Sequence, residues 1–121
     1  MARRSSPFRV ELSDERIKKF KRGFFRRWKQ IAELPVAEIR RIDVEVVDAL
    51  TYDSVFLAFT GSERTIRVEE DDEGFDALAA WMDGQYDLLD PEWRETVDAY
   101  ICANPLKGMF ATLWLDEGTE V

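Results

Sequence analysis

The stretch RIKKFKRGFFRRWKQIAEL at residues 16–34 decides the fold, because it supports two incompatible structures. Gly23 and the two adjoining aromatic residues after it favour two strands, 17–21 and 24–34, paired across Arg22-Gly23. Against this, five apolar residues recur at the three- and four-residue spacings of a helical stripe. They are Ile17, Phe20, Phe24, Trp28 and Ile31. Periodicity alone slightly favours the helix, so the rest of the chain has to decide.

The segments on either side of this stretch predict strands. Residues 8–12 (FRVEL) alternate between apolar and polar, as a half-buried strand does. Residues 39–49 are rich in β-branched side chains, 54–60 (SVFLAFT) form a short apolar run, and 64–68 alternate again. Because these last three strands follow one another through short connections, they predict an antiparallel meander.

The second half of the chain predicts two helices and a last strand. Apolar residues in 74–85 follow the spacing of an amphipathic helix, with Phe75, Leu78, Ala79 and Met82 on one face. Asp90 is expected to cap a second helix that has Pro91 at its first position. Met109–Leu115 is apolar on both faces, so we expect it inside a sheet or against a helix.

The predicted fold class is therefore α+β. A curved antiparallel sheet is packed by two helices from the C-terminal half and by the final strand. We expect one domain over residues 8–116, a flexible N-terminus at 1–7 and a polar tail at 117–121. The longest apolar run is far short of the ~20 residues that span a bilayer, and no secretory signal is present, so we expect a cytoplasmic protein.

Two parts of the chain resemble known patterns. VELSDERI followed by LPVAEIRRIDV is similar to bacterial pleckstrin-homology-like domains. The later stretch SVFLAF…RTIRVEEDDEGFDALAAWMD…W…TLWL resembles a group of small uncharacterised bacterial proteins. The resemblance implies a bent antiparallel sheet closed by helices and no catalytic residue, and it favours the hairpin for 16–34. The sequence departs from the simple domain pattern after Gln85, where a second helix and another strand follow.

The residue inventory excludes several chemistries. The chain has no histidine, which removes His-based acid–base catalysis and the common zinc sites that need His. The single cysteine, Cys102, has no visible activating neighbour and is expected to be a buried structural residue. The six glycines are scattered and form no phosphate-binding loop. We therefore expect no enzyme and no cofactor.

Charge is distributed unevenly along the chain. Residues 1–41 hold 13 of the 17 basic and 5 of the 25 acidic residues, a net charge of +8, whereas residues 42–121 carry −16. Either the two segments meet in the fold and neutralise each other, or they form faces for charged partners. The first alternative is favoured, because compact domains bring distant segments together.

Three candidate surfaces follow from these patterns. The first is an acidic run that consists of Glu69, Glu70, Asp71, Asp72 and Glu73. It is a candidate docking surface for a basic partner, although a solvated loop is the simpler interpretation and a metal site is the least favoured one. The second is a basic–aromatic surface that consists of Lys18, Lys19, Lys21, Arg22, Arg26, Arg27, Trp28 and Lys29. It could bind phosphates or lie on an anionic membrane, although aromatic residues in the core with solvated cations around them would give the same sequence pattern. Trp81 lies off its helical stripe and either anchors a partner or packs under the second helix, the second being favoured.

The leading functional hypothesis is a non-catalytic protein-binding module, with an inhibitor or immunity-type protein as one version. Its motivation is the acidic segment, which suits a basic protein partner. The alternative is binding of an anionic membrane or a nucleic acid through residues 16–29, although the net charge of −8 opposes a polyanion. A metal-dependent enzyme built from carboxylates is the weakest hypothesis.

Overall fold

A computed structural model describes residues 6–23, 25, 27–50 and 52–116. The termini at 1–5 and 117–121, for which a flexible segment and a polar tail are predicted, lie outside the described residues. Two residues of the expected N-terminal segment are described, and both are bonded to the fold. The Ser6 hydroxyl donates to Asp72 at 2.6 Å, and the carbonyl of Pro7 accepts from the Arg22 N–H at 2.8 Å.

The first sheet consists of β1 (Phe8–Ser13), β2 (Arg16–Arg22) and β3 (Trp28–Pro35), antiparallel in that order. Residues 16–34 therefore form the hairpin, and the helix suggested by their periodicity is not present. The hairpin places Ile17 in the core beside its β3 partner Leu34, while Phe20 and Trp28 lie on the opposite face of the sheet. The turn is wider than predicted, since β2 ends at Arg22 and β3 begins only at Trp28.

The turn between β1 and β2 consists of two residues, Asp14 and Glu15, with positive φ angles of 54° and 57°. Two consecutive positive φ values are the mark of a type I′ turn, whose twist matches that of the flanking strands. Asp tolerates this conformation better than Glu does. The Lys18 ammonium lies 3.2 Å from the Asp14 carboxylate, so the turn is also held by an ion pair.

The second sheet contains β4 (Arg41–Asp48), β5 (Asp53–Thr60), β6 (Thr65–Glu69) and β7 (Met109–Leu115). Its order is β6-β5-β4-β7, and every pairing is antiparallel, which confirms the predicted meander of β4, β5 and β6. The strand β7, expected inside a sheet or against a helix, lies at a sheet edge beside β4. Its apolar outer side chain Phe110 is 59% exposed, and the Arg41 guanidinium lies 5.5 Å from the centre of its ring.

The two helices are α1 (Phe75–Gln85) and α2 (Trp93–Ala103). All four residues of the predicted apolar stripe of α1 are buried, as expected. The predicted cap of α2 is displaced, because the helix begins at Trp93 and its N-cap is Glu92. The Asp90 carboxylate instead accepts from the Glu92 N–H at 3.0 Å and the Thr96 hydroxyl at 2.7 Å, which stabilises the turn before the helix.

Cys102 is exposed, so the expectation of a buried cysteine is wrong. The face of α2 that packs inward contains Trp93, Val97 and Ile101. Cys102 follows Ile101 directly and is therefore rotated by about 100° toward solvent.

The architecture is α+β, as predicted, with seven strands in two antiparallel sheets and two α-helices in the described part of the chain. The two sheets share one core. Val10, Ile17 and Leu34 of the first sheet belong to the same buried cluster as Phe59 of β5 and Met82 of α1. Neither described helix is long and apolar enough to cross a bilayer.

Candidate binding surfaces

The acidic run at 69–73 connects the two sheets. The Val10 N–H donates to the Glu73 carbonyl at 2.8 Å, and the Glu73 N–H donates to the Phe8 carbonyl at 3.2 Å, so this loop pairs with β1 as a short parallel bridge. Asp72 is only 5% exposed, and its carboxylate accepts from the Ser6 hydroxyl and from the Glu69 N–H at 3.0 Å. This carboxylate thus accepts from one donor in the N-terminal segment and one in the loop, and it does not face solvent.

The five acids therefore do not form one exposed patch. Glu69, Glu70 and Asp71 are half-buried, and the last two have interaction partners of their own. The Glu73 carboxylate is 67% exposed and lies 3.7 Å from the Arg9 guanidinium. No group of acidic or cysteine side chains among the described residues is arranged to hold a metal ion.

Trp81 lies in a groove between β1 and α1. Two adjoining clefts, of about 670 Å³ and 410 Å³, share Leu12 and Trp81 in their walls, and together we call them the β1–α1 groove. The Trp81 ring is half-buried and packs edge-on against Tyr86, with the ring centres 5.6 Å apart. Its observed ring contact is therefore with the residue after α1, and part of the ring stays accessible from the groove.

The edge of β1 that faces this groove is open beyond the Glu73 bridge. The N–H of Val10 points away from β2, since it is bonded to Glu73. Backbone groups two residues apart on a strand point to the same side, so those of Leu12 are directed to this edge as well. In the described part of the chain no strand pairs with β1 there. The groove thus combines an apolar wall with one residue of unpaired strand edge.

The groove carries a small excess of negative charge. Its lining includes four carboxylates and two guanidinium groups: Glu11, Asp14, Glu15, Glu73, Arg9 and Arg16. Arg9 is held by Glu11 at 2.8 Å, and Arg16 is held outside this set by Glu33 at 2.9 Å. The Glu15 side chain is exposed and has no ion-pair partner among the described residues. A cationic group entering the groove would therefore meet a net negative environment.

The predicted basic–aromatic surface is divided between the two faces of the first sheet. On the outer face the Arg9 guanidinium lies 5.6 Å from the centre of the Phe20 ring and 5.8 Å from that of Trp28. The Arg22 guanidinium lies 5.0 Å from the Trp28 ring on the same face. Phe20 and Trp28 are therefore covered by cations on the outer face and are not in the core.

Lys18 and Lys19 are occupied within the fold. Lys18 pairs with Asp14, whereas Lys19 points to the inner face, where its ammonium donates to the Arg67 carbonyl at 2.8 Å and lies 4.5 Å from the centre of the Phe8 ring. Burial lowers the pKa of Lys19, and Arg67 lowers it further, while Asp72 and Glu69 act in the opposite direction. Both ammonium groups thus have partners within the chain.

The remaining described members of the surface lie at the end of the β2–β3 hairpin. They are exposed except for half-buried Trp28, and we call this set, with Phe25, the basic tip: Lys21, Arg22, Arg27, Trp28 and Lys29. Phe25 is 93% exposed. Arg26, also predicted for this surface, lies outside the described residues. Sequence reasoning included the cations of the tip but did not single out Phe25 as the residue exposed at its end.

The basic and acidic segments neutralise each other only in part. Among the described residues, ion pairs across the boundary join Arg9 to Glu73, Arg40 to Asp116, and Arg41 to Asp43. None of these pairs involves the basic tip. The helical region 75–103 carries seven acidic residues and one basic residue, so a strong charge difference persists between the tip and the helices.

Sequence reasoning placed Trp81 and Glu73 in separate surfaces, but both line the β1–α1 groove. It missed Leu12, Glu15 and Ala77 in the same groove. A signal for the first two was available in the Asp14–Glu15 step, which predicts a turn and so ends β1 close to them. Ala77 gave no signal, because its position depends on how α1 packs against β1.

Comparison of the chain with models of protein families, with curated proteins and with solved structures finds no match. The resemblance to pleckstrin-homology-like domains accordingly stays a prediction.

Proposed function

We propose that this chain is a non-catalytic protein-binding module that holds an extended segment of its partner in the β1–α1 groove. The observation that carries the proposal is the open edge at Leu12 opposite the accessible side of Trp81. An extended segment that pairs with a strand edge gains main-chain hydrogen bonds from the edge and specificity from side-chain pockets beside it.

The chemistry of the groove indicates what the segment contains. Leu12 and Trp81 offer an apolar contact, and an aromatic ring of this kind is a frequent anchor of protein interfaces. Glu15, which has no ion-pair partner among the described residues, and the net charge of −2 over the lining favour a basic residue next to the apolar one. A partner that exposes such a segment is the basic protein expected from the charge of the chain, and an inhibitor of a basic enzyme is the narrower form of this proposal.

A peptide-display selection against the immobilised protein tests the proposal. Ala77 lines the groove and Ala80 does not, although both are exposed on α1. We expect selected peptides to share an apolar residue near a basic one and to bind Ala77→Gln about tenfold more weakly, equivalent to ~1.4 kcal/mol, because the longer side chain enters the groove. Ala80→Gln is the matched control and should bind as the unmodified chain does.

Two results would refute the proposal. One is a selection that enriches no common motif. The other is a set of enriched peptides whose affinity is the same for Ala77→Gln and for Ala80→Gln, since those peptides would bind elsewhere on the molecule. Circular dichroism of both variants checks whether the fold is unchanged.

A further inference from the structure

The basic tip is separate from the groove. The β1–β2 turn, which borders the groove, and the tip lie at opposite ends of β2. Six residue steps along that strand correspond to about 20 Å. The Gly23 N–H donates to the Arg27 carbonyl at 2.8 Å, and the Arg22 N–H donates to the Pro7 carbonyl, so the end of the hairpin is held by backbone hydrogen bonds. These bonds fix Arg22, Gly23 and Arg27 at the end of the first sheet.

The cations of the tip have no carboxylate partner in the part of the chain that the structure describes. Lys21, Arg22, Arg27 and Lys29 are exposed, and no carboxylate among the described residues pairs with them. By contrast, Arg9 and Arg16 on the same sheet each have a carboxylate within 3 Å. The difference indicates that the charge of the tip is available to an anionic partner.

The register of the hairpin concentrates this charge. Lys21 and Lys29 are direct cross-strand partners, so their side chains leave the sheet on the same face. Directly opposed like charges destabilise a sheet, and an anion lying between them relieves that repulsion. The next pair is Arg22 and Trp28, whose ring and guanidinium stack on the other face. Both faces of the tip thus present cations.

The residue described at the end of the tip is apolar. Phe25 is 93% exposed, with a φ of 61°, so a large hydrophobic side chain faces solvent in the same turn as the exposed cations Arg22 and Arg27. Transfer of a Phe side chain from water to an apolar environment is favourable by ~2 kcal/mol. A charged partner that contacts the ring in water does not provide such an environment. An apolar end surrounded by cations fits the headgroup–acyl boundary of an anionic bilayer, where the ring enters the boundary and the cations meet lipid phosphates.

We propose that the basic tip docks this protein on a bilayer that contains anionic phospholipid. A bilayer is favoured over a nucleic acid because only the projecting tip touches it. A polyanion that followed the surface further would meet a chain whose net charge is −8. At physiological salt the acidic groups farther than ~8 Å from the membrane are largely screened. The groove faces a different end of the sheet and stays open for a partner.

Vesicle flotation with the full chain tests this proposal. We expect binding to phosphatidylcholine vesicles that contain about 30% phosphatidylserine, weaker binding as salt rises, and little binding to phosphatidylcholine alone. Lys29→Gln should lower the affinity about fivefold, and Phe25→Ser about tenfold or more. The matched controls are Lys107→Gln and Leu89→Ser, which remove an exposed cation and an exposed apolar side chain away from the tip and should have no effect.

Several outcomes would overturn the proposal. These are no binding to the anionic vesicles at low salt, equal binding to neutral vesicles, and equal losses in the tip variants and their controls. Binding of single-stranded DNA at the same salt, with no binding of vesicles, would assign the tip to nucleic acid instead. Ala77→Gln should bind vesicles normally, so a failure of the groove proposal is distinguishable from a failure of this one.

Discussion

Replacement of Gly74 by alanine should strongly destabilise this protein. Gly74 is the N-cap residue of α1 and has a φ of +90°, a conformation that costs an L-residue about 1–2 kcal/mol. A Cβ atom there would lie 2.1 Å from the carbonyl oxygen of Val10, which is backbone and cannot rotate away. The loop has to move away from β1 by more than an ångström to accommodate it.

That movement breaks the bridge between β1 and the acidic loop. The bonds from Val10 N–H to Glu73 and from Glu73 N–H to Phe8 are the ones at stake, at about 1 kcal/mol each. With the conformational cost, Gly74→Ala should lose about 3–4 kcal/mol. This loss is a large share of the free energy of unfolding of native proteins, which is about 5–15 kcal/mol.

The matched control lies on the same helix. Gly84 has no positive φ, and a Cβ added there would meet nothing within 4 Å. Gly84→Ala should therefore stabilise the protein by up to ~1 kcal/mol through helix propensity. The same chemical change thus has opposite signs at the two ends of α1.

Urea unfolding followed by circular dichroism and tryptophan fluorescence measures both variants. For a slope of ~1.5 kcal/mol/M, Gly74→Ala should move the midpoint down by roughly 2 M. The reasoning is refuted if Gly74→Ala unfolds within about 1 kcal/mol of the unmodified chain, since neither the backbone conformation nor the close approach would then matter.

Three further predictions concern the core and its polar contacts. Asp43 is buried, and its carboxylate accepts hydrogen bonds from Arg41 at 2.9 Å and from Thr112. In urea unfolding, Asp43→Ala should lower the free energy of unfolding by about 2–3 kcal/mol, whereas Asp98→Ala at an exposed position should lower it by less than ~0.5 kcal/mol. Leu34→Ala should lower the free energy of unfolding by about 2–5 kcal/mol and leave one cooperative transition, because Leu34 joins the first sheet to the common core. Substitution of the exposed Ile31 by alanine is the control, and two separate transitions would contradict the shared core. Burial raises the pKa of the Tyr86 hydroxyl above 10.0, so the unfolded chain loses the hydroxyl proton first and the free energy of unfolding falls as pH rises past 10. Tyr86→Phe should show a shallower fall, and parallel pH profiles of the two proteins would argue against a buried Tyr86 hydroxyl.

The groove and the tip use the two ends of one hairpin strand. If both proposals hold, the protein would lie on a membrane with its groove about 20 Å from the docking point. Binding of a basic segment in the groove and docking of the tip on anionic lipid are then compatible, because the interacting charges have opposite signs at the two sites.

Most strands and both helices could be predicted from local patterns. The apolar stripe of α1 placed four residues correctly in the core, and the alternation at 64–68 predicted β6 to within one residue. These predictions succeeded because burial on one face imposes a period that the sequence records directly. Helix α2 begins later than predicted, because Asp90 stabilises the turn before the helix. An Asp side chain serves as a helix cap or as a turn residue equally well, so the sequence alone does not distinguish the two roles.

By itself the sequence determined the α+β class, the order of the elements outside residues 16–34, and the absence of histidine chemistry, because these follow from period and composition. Tertiary structure decided the features that depend on which segments meet. It made residues 16–34 a hairpin, since the common core takes Ile17 and Leu34 from paired strands. It also turned the acidic run into a connection to β1, brought Trp81 and Glu73 into one groove, and left the basic tip without carboxylate partners among the described residues. Contacts between distant residues leave no local pattern, and for that reason only the folded chain reveals them.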